Sequence, residues 1–216
     1  DRSIGTLSAL ARIYEAQGRI AAAVRIAGEL SFAYADPNRA LQRQADIYRA
    51  GQEFGRAIEV LEEIPLDRRS EDELRWLVGQ YGLYGRLDPL IENLQEMVHR
   101  GIASPADTVE LARVMAAQQR FEDAVAVLEE ADDRSAAVLP QLGQALLIHL
   151  LVARKETAEA KARAQGWAAR ERDPVPLLVF VAEQMRAAGL PQDAVDLLQP
   201  VADQAPGHPN LQAALV

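Results

Sequence analysis

The sequence predicts an all-α fold, a solenoid of antiparallel helix pairs. A short motif returns every thirty-three to thirty-six residues, each return spans two apolar segments at helical spacing, and a short turn separates the two segments.

The first repeat, residues 4–37, carries Leu10-Ala11-x-x-Tyr14 in its first segment and Ala23 in its second, joined by Ala16-Gln-Gly-Arg19. The second, 38–70, reads Gln44-Ala45-x-x-Tyr48 and Ala57 across the turn Ala50-Gly-Gln-Glu53. The third, 71–104, reads Leu77-Val78-x-x-Tyr81 across Tyr84-Gly-Arg86, with Leu90 in the small-residue place. The fourth, 105–140, has Leu111-Ala112-x-x-Met115 and Ala124 but no turn glycine. After a two-residue insertion the fifth, 141–174, has Leu147-Ile148-x-x-Leu151 and Ala160, with Lys155 at the turn. The sixth, 175–208, has Val181-Ala182-x-x-Met185 and Ala194 across Ala188-Gly189-Leu-Pro191. Residues 209–216 begin a seventh, from Leu211. The whole of 1–216 therefore reads as one solenoid, and a first residue that is aspartate rather than methionine reads as a piece of a longer protein.

Each feature has a physical reason. One hairpin cannot bury its apolar face alone, so small residues such as Ala11, Ala23, Ala45 and Ala57 let neighbouring helices approach and share a core. Gly18, Gly51, Gly85 and Gly189 are expected to supply the left-handed backbone that ends the first helix. Pro191 suits the first turn of the next helix, where its missing N–H is not needed.

Composition narrows the function. The chain has 216 residues, 49% of them apolar and 25% charged, with a net charge of −9 and only Lys155 and Lys161 as lysines. Broad attraction to nucleic acid or anionic membrane is not expected from such a balance. The absence of cysteine excludes disulfides and thiolate metal sites and leaves the compartment open. The longest uncharged stretch, Ser135 to Ala153, carries Pro140, Gln141, Gln144 and His149, and reads as a buried helix rather than a membrane span.

No catalytic constellation emerges. His99, His149 and His208 fall in different repeats without an acid or nucleophile at working spacing, and no metal-binding pair of histidines or cysteines occurs. Neither a cofactor nor a metal is expected. Gly79-Gln-Tyr-Gly82-Leu-Tyr-Gly85 mimics a phosphate-binding string but ends a helix instead of opening one, so it reads as close helix packing plus a turn, leaving a side-chain-free patch beside Arg75. The acidic groups Glu59-Glu62-Glu63 and Glu129-Glu130-Asp132-Asp133 lack calcium-loop spacing and read as solvated faces. Trp76 and Trp167 read as core or interhelix filler.

The motif resembles the tetratricopeptide repeat family, over nearly the whole chain. The sixth repeat matches closely with Ala182, Gly189, Ala194, Leu198, Val201 and Pro206; Leu90, the missing fourth turn glycine and Lys155 depart from the pattern. Half-a-tetratricopeptide or another helical-hairpin repeat is the alternative label. The resemblance implies a right-handed superhelix whose first helices line a concave groove. Projected here, the groove holds Arg12, Glu15, Arg39, Gln42, Asp46, Arg49, Asp72, Arg75, Arg113, His149, Glu183 and Arg186. Six arginines against four acids make it about +2 on a chain of −9.

The implied function is a noncatalytic scaffold holding a protein partner, with arginine forks suited to an acidic or extended segment. In the last two repeats the lining turns apolar, with Leu142, Ala145, Val152, Ala153 and Val179. Arg12, Asp46 and Gly79 stand where a carboxylate clamp for chaperone termini needs asparagine, which argues against that role. The repeat style, arginine-rich and cysteine-free, is similar to the periplasmic arms of bacterial exopolysaccharide export proteins of the Pel and cellulose secretion type. That resemblance implies a periplasmic, biofilm-related partner such as a polysaccharide-modifying enzyme. A regulatory repeat domain of a larger enzyme, or a direct binder of an anionic polymer, are the alternatives.

Overall fold

The computed structural model describes residues 4–30, 36, 38–134, 139–204, 211 and 214. His208, Pro206 and most of the expected seventh repeat lie outside the described residues. Among those described, all regular structure is helical. The chain divides into two compact units, Asp1–Ile102 and Ala103–Val216.

The first unit contains three hairpins: α1 (Ile4–Ala16) with α2 (Ile20–Glu29), α3 (Asn38–Ala50) with α4 (Phe54–Glu62), and α5 (Glu71–Tyr84) with α6 (Leu87–His99). A single 3₁₀ turn, Leu66–Arg68, links the second hairpin to the third. The second unit contains α7 (Pro105–Ala117) with α8 (Phe121–Arg134), α9 (Gln141–Ala153) with α10 (Thr157–Ala168), and α11 (Val175–Ala187) with α12 (Pro191–Gln204).

The small residues of the repeat are buried together with its large ones. Ala23, Ala57, Ala112, Ala124, Ala160 and Ala194 are fully covered, and large partners such as Leu77, Leu111, Leu147 and Val181 fill the space beside them. A methyl-sized side chain at the crossing brings two helices near enough for those leucines to interdigitate, which is how a thin hairpin acquires a dense core.

All six hairpins turn in the same way. Gly18, Gln52, Gly85, Gln119, Lys155 and Gly189 have φ between +60° and +77°. The N–H of the next residue then donates back five residues, from Arg19 to Tyr14, Glu53 to Tyr48, Arg86 to Tyr81, Arg120 to Met115, Glu156 to Leu151 and Leu190 to Met185, at 2.8–2.9 Å. This is the Schellman closure, and it satisfies a helix-end carbonyl that would otherwise be orphaned.

Two sequence expectations are corrected here. The left-handed residue of the second hairpin is Gln52, not Gly51; the Gly51 N–H still bonds the Ile47 carbonyl, and a Cβ at 51 would lie 2.8 Å from the Ile20 side chain. Close packing therefore selects that glycine. The reverse holds at Gly79 and Gly82, where an added Cβ meets nothing within 4 Å, so close packing does not explain them.

Serine caps start two of the helices. Ser70 Oγ accepts from the Glu73 N–H while the Glu73 carboxylate accepts from the Ser70 N–H, and Ser104 and Asp107 repeat this reciprocal box ahead of α7. Each such cap contributes about 1 kcal/mol. No described helix is long and apolar enough to cross a membrane.

Candidate functional site

Within the first unit, the faces of α1, α3 and α5 present the expected polar residues, but mostly engaged with one another. Glu15 pairs with Arg43, a residue the sequence frame passed over. The Gln42 amide lies 3.5 Å from the Glu73 carboxylate. Arg49 reaches Asp46 at 3.6 Å and covers the Trp76 ring at 4.8 Å. Arg75 donates to Glu71 at 2.9 Å and to the Ile102 carbonyl at 2.6 Å. Asp72 is exposed.

The side chains of Arg12 and Arg39 are exposed and make no hydrogen bond or ion pair among the described residues. Partial burial lifts the Asp46 carboxyl above the usual carboxylate range, with Glu73 adding and Arg49 and Arg43 opposing. More than half of that side chain is open to water, so solvent screens the effect.

The excess positive charge read from the sequence is thus largely neutralised locally. Arginine is long, and at three or four residues from an acid on a helix it folds onto that neighbour. What remains is more focused. A polar pocket of about 390 Å³ opens between α1, the end of α2 and α3, lined by Ser8, Ala11 and Arg12 and by Ala27, Leu30 and Arg43. The open guanidinium of Arg12 and the hydroxyl of Ser8 line this pocket beside Arg43, whose own guanidinium is held by Glu15, and an unpaired guanidinium with a hydroxyl is a donor set suited to a carboxylate. Arg43 and Ser8 were missed because burial of the pocket, not helical spacing, selects them.

The second unit places its sequence-predicted residues differently. Arg113 is clamped by two bonds from its guanidinium to Glu110, at 2.7 and 2.5 Å, which hold it in the charged form. His149 and Glu183 are exposed and Arg186 is half-buried. Val152 is 4% exposed and belongs to the core, correcting its expected place in the lining.

Leu142 and Ala145 do come together, in a concave pocket of about 620 Å³ between α9 and α11. Pro176, Leu177 and Phe180 of α11 complete its apolar wall; the sequence frame pointed instead to Val179, which is half-buried. Gln141, Gln144, Glu171 and Asp173 supply its polar members. Among the described residues no group of three or more acids or histidines is placed to hold a metal ion.

No family model matches the chain, and no curated protein matches it. Solved structures do. A chain in the structure of Naa15/Naa10 bound to HypK-THB is similar over 97% of this sequence, at 16% identity and a TM-score of 0.61. The fold is all-α, a succession of antiparallel helix pairs, and it is shared with that chain. Identity at that level carries the fold alone, and the match takes in 33% of the other chain, so this sequence spans about a third of that relative's length. YrrB, described as a TPR protein with an unusual peptide-binding site, is similar over 88% of this chain and 89% of its own, at 13% identity and a TM-score of 0.44. The P58(IPK) TPR domain is similar over 98% of this chain and 54% of its own, at 15% identity and a TM-score of 0.30.

Proposed function

We propose that the chain is a noncatalytic interaction scaffold that holds an extended, carboxylate-bearing protein segment on its first unit. The observation that carries this reading is the polar pocket lined by the unpaired Arg12 and by Ser8, beside an Arg43 that already holds the carboxylate of Glu15. Arg12 has no competing partner among the described residues, and Arg39, equally unpaired, lies four residues before Arg43 on α3. A bidentate guanidinium contact selects a carboxylate by shape as well as charge, and a helical face can repeat such contacts along an extended segment.

The test uses an acidic heptapeptide of alternating glutamate and glycine, titrated by fluorescence anisotropy. Arg12→Glu with Arg39→Glu is expected to weaken binding at least tenfold while leaving far-ultraviolet circular dichroism unchanged. Equal affinity in the double variant would remove the reading. An anionic polysaccharide is the alternative ligand that the same arginines favour; it predicts binding whose logarithm falls steeply with the logarithm of salt. The finer reading, a periplasmic arm of exopolysaccharide export, is supported by the repeat style and the cysteine-free sequence. Recovery of a polysaccharide-modifying enzyme from periplasmic extract would favour it, and recovery of cytoplasmic enzymes alone would favour a regulatory repeat domain.

A further inference from the structure

The pocket between α9 and α11 has the opposite chemistry from the polar pocket of the first unit. Its wall is apolar and continuous, with Leu142, which is 68% exposed, beside Ala145, Pro176, Leu177 and Phe180, and it is such a grouping rather than one exposed leucine that marks an interaction surface. Phe180 and Pro176 lie one turn apart on α11 and face the same space as Leu142 and Ala145. At the edge stand two acids. The Glu171 carboxylate makes no hydrogen bond or ion pair among the described residues, while Asp173 Oδ1 accepts from the Val175 N–H at 3.2 Å. Arg170 and Arg172 flank Glu171 in sequence, yet no arginine or lysine is among the described residues that line the pocket.

We infer that this pocket is a second docking site, independent of the proposed carboxylate site, and that its occupant is a protein segment with a bulky apolar side chain flanked by lysine or arginine. An apolar wall rewards insertion of an aromatic or leucine side chain, the usual anchor of an interface. The acidic edge complements a cation beside that anchor and disfavours an acidic one. The volume, about 620 Å³, exceeds a single side chain and lies within the range of about 300–1,000 Å³ that ligand sites occupy. The pocket is not enclosed, which suits a segment that continues beyond its anchor, whereas small-molecule sites cover most of their ligand's surface.

The two pockets together select opposite partners. The first unit takes a carboxylate, and the second takes an apolar anchor with a cation beside it.

The experiment uses the full chain and three capped, fluorescein-labelled pentapeptides: Lys-Gly-Phe-Gly-Lys, Lys-Gly-Ala-Gly-Lys and Glu-Gly-Phe-Gly-Glu. The first is expected to bind at least tenfold more tightly than either of the others. Leu142→Arg, on an exposed position, is expected to abolish that preference, and Glu171→Gln to reduce the lysine-over-glutamate ratio to below threefold. Arg12→Glu should leave the affinities of the two lysine peptides unchanged, and the lysine-over-glutamate ratio is read in that background, where the glutamate peptide has lost the carboxylate site; failure of this site and failure of the carboxylate site are thereby separated. Equal binding of the phenylalanine and alanine peptides, or full retention of the preference in both Leu142→Arg and Glu171→Gln, overturns the inference. So does self-association of the chain in sedimentation velocity that Leu142→Arg removes, since the occupant would then be a second copy.

Discussion

The guanidinium of Arg49 lies over the indole of Trp76, 4.8 Å from the ring centroid, and the same indole meets the Phe54 ring edge-on at 6.3 Å. Arg49 is thereby held by the ring and by Asp46, and its charge is partly spent inside the first unit. A guanidinium stacked this way contributes about 0.5–1 kcal/mol. Arg49→Ala is expected to lower stability by that amount and to open Trp76 to acrylamide quenching. Each unit has one tryptophan, Trp76 or Trp167, so a Trp167→Phe background reads the first unit alone. Unchanged quenching would mean that the stack contributes nothing in solution.

The hairpin turns offer a second test. Gln52, Gln119 and Lys155 occupy the left-handed position that glycine fills in the other three hairpins. For a residue with a Cβ that conformation costs roughly 1–2 kcal/mol, while glycine gives back about 0.5–1 kcal/mol through a freer unfolded chain. Gln119→Gly and Lys155→Gly should each stabilise the second unit by about 0.5–1 kcal/mol in urea titrations followed at Trp167. Gly189→Ala should destabilise it by about 1 kcal/mol.

A third prediction concerns Arg69. The residue is 8% exposed, and its guanidinium has no carboxylate partner among the described residues; it donates to the Ile64 carbonyl at 3.0 Å, to Asn93 Oδ1 at 3.2 Å and to the Glu62 carbonyl at 3.5 Å. Arg100 closes the same link from outside, donating to the carbonyls of Arg69 and Leu66 at 2.6 Å. Removing a fork that satisfies several buried acceptors leaves them unpaired, at about 1–3 kcal/mol each. Arg69→Met should lower the stability of the first unit by about 2–4 kcal/mol, and Arg69→Lys should recover little of it, because an ammonium cannot reach three acceptors in a plane. A loss under 0.5 kcal/mol would show that water replaces the fork.

The pH dependence has one predicted source in Tyr81. Burial, helped by the hydrogen bond its hydroxyl donates to Glu62 and by that carboxylate's charge, pushes its phenol up from 10.0 to about 12, against the opposing pull of Arg69 and Arg86. The neutral phenol is the form the fold favours. Its contribution is therefore complete below pH 10 and is lost as pH rises towards about 12, amounting to no more than roughly 2–3 kcal/mol. The stability gap between the protein and its Tyr81→Phe variant should shrink across that window, and a gap that stays constant would contradict the shift.

Helices and turns were legible because both are local. Periodicity places an alanine and a leucine on one face, and the small residue of the second segment follows the motif of the first at a fixed interval, so the fold class follows from the repeat alone. Even there, the choice between Gly51 and Gln52 as the left-handed residue was not local: Gly51 is required by the Ile20 side chain from another hairpin. The site was legible only in outline. Helical projection found Arg12, Arg39, Leu142 and Ala145, but not Arg43, Pro176 or Phe180.

The sequence by itself thus determined that this protein is an all-α array of hairpins with arginines on its first helices and an apolar turn of character later on. Tertiary structure decided which of those arginines are free. A guanidinium reaches several ångströms from its backbone, so its partner depends on what the neighbouring helix brings near: Glu15 for Arg43, Trp76 for Arg49, the Ile102 carbonyl for Arg75, and nothing among the described residues for Arg12. Pocket shape likewise belongs to pairs of helices, and no single helix encodes it.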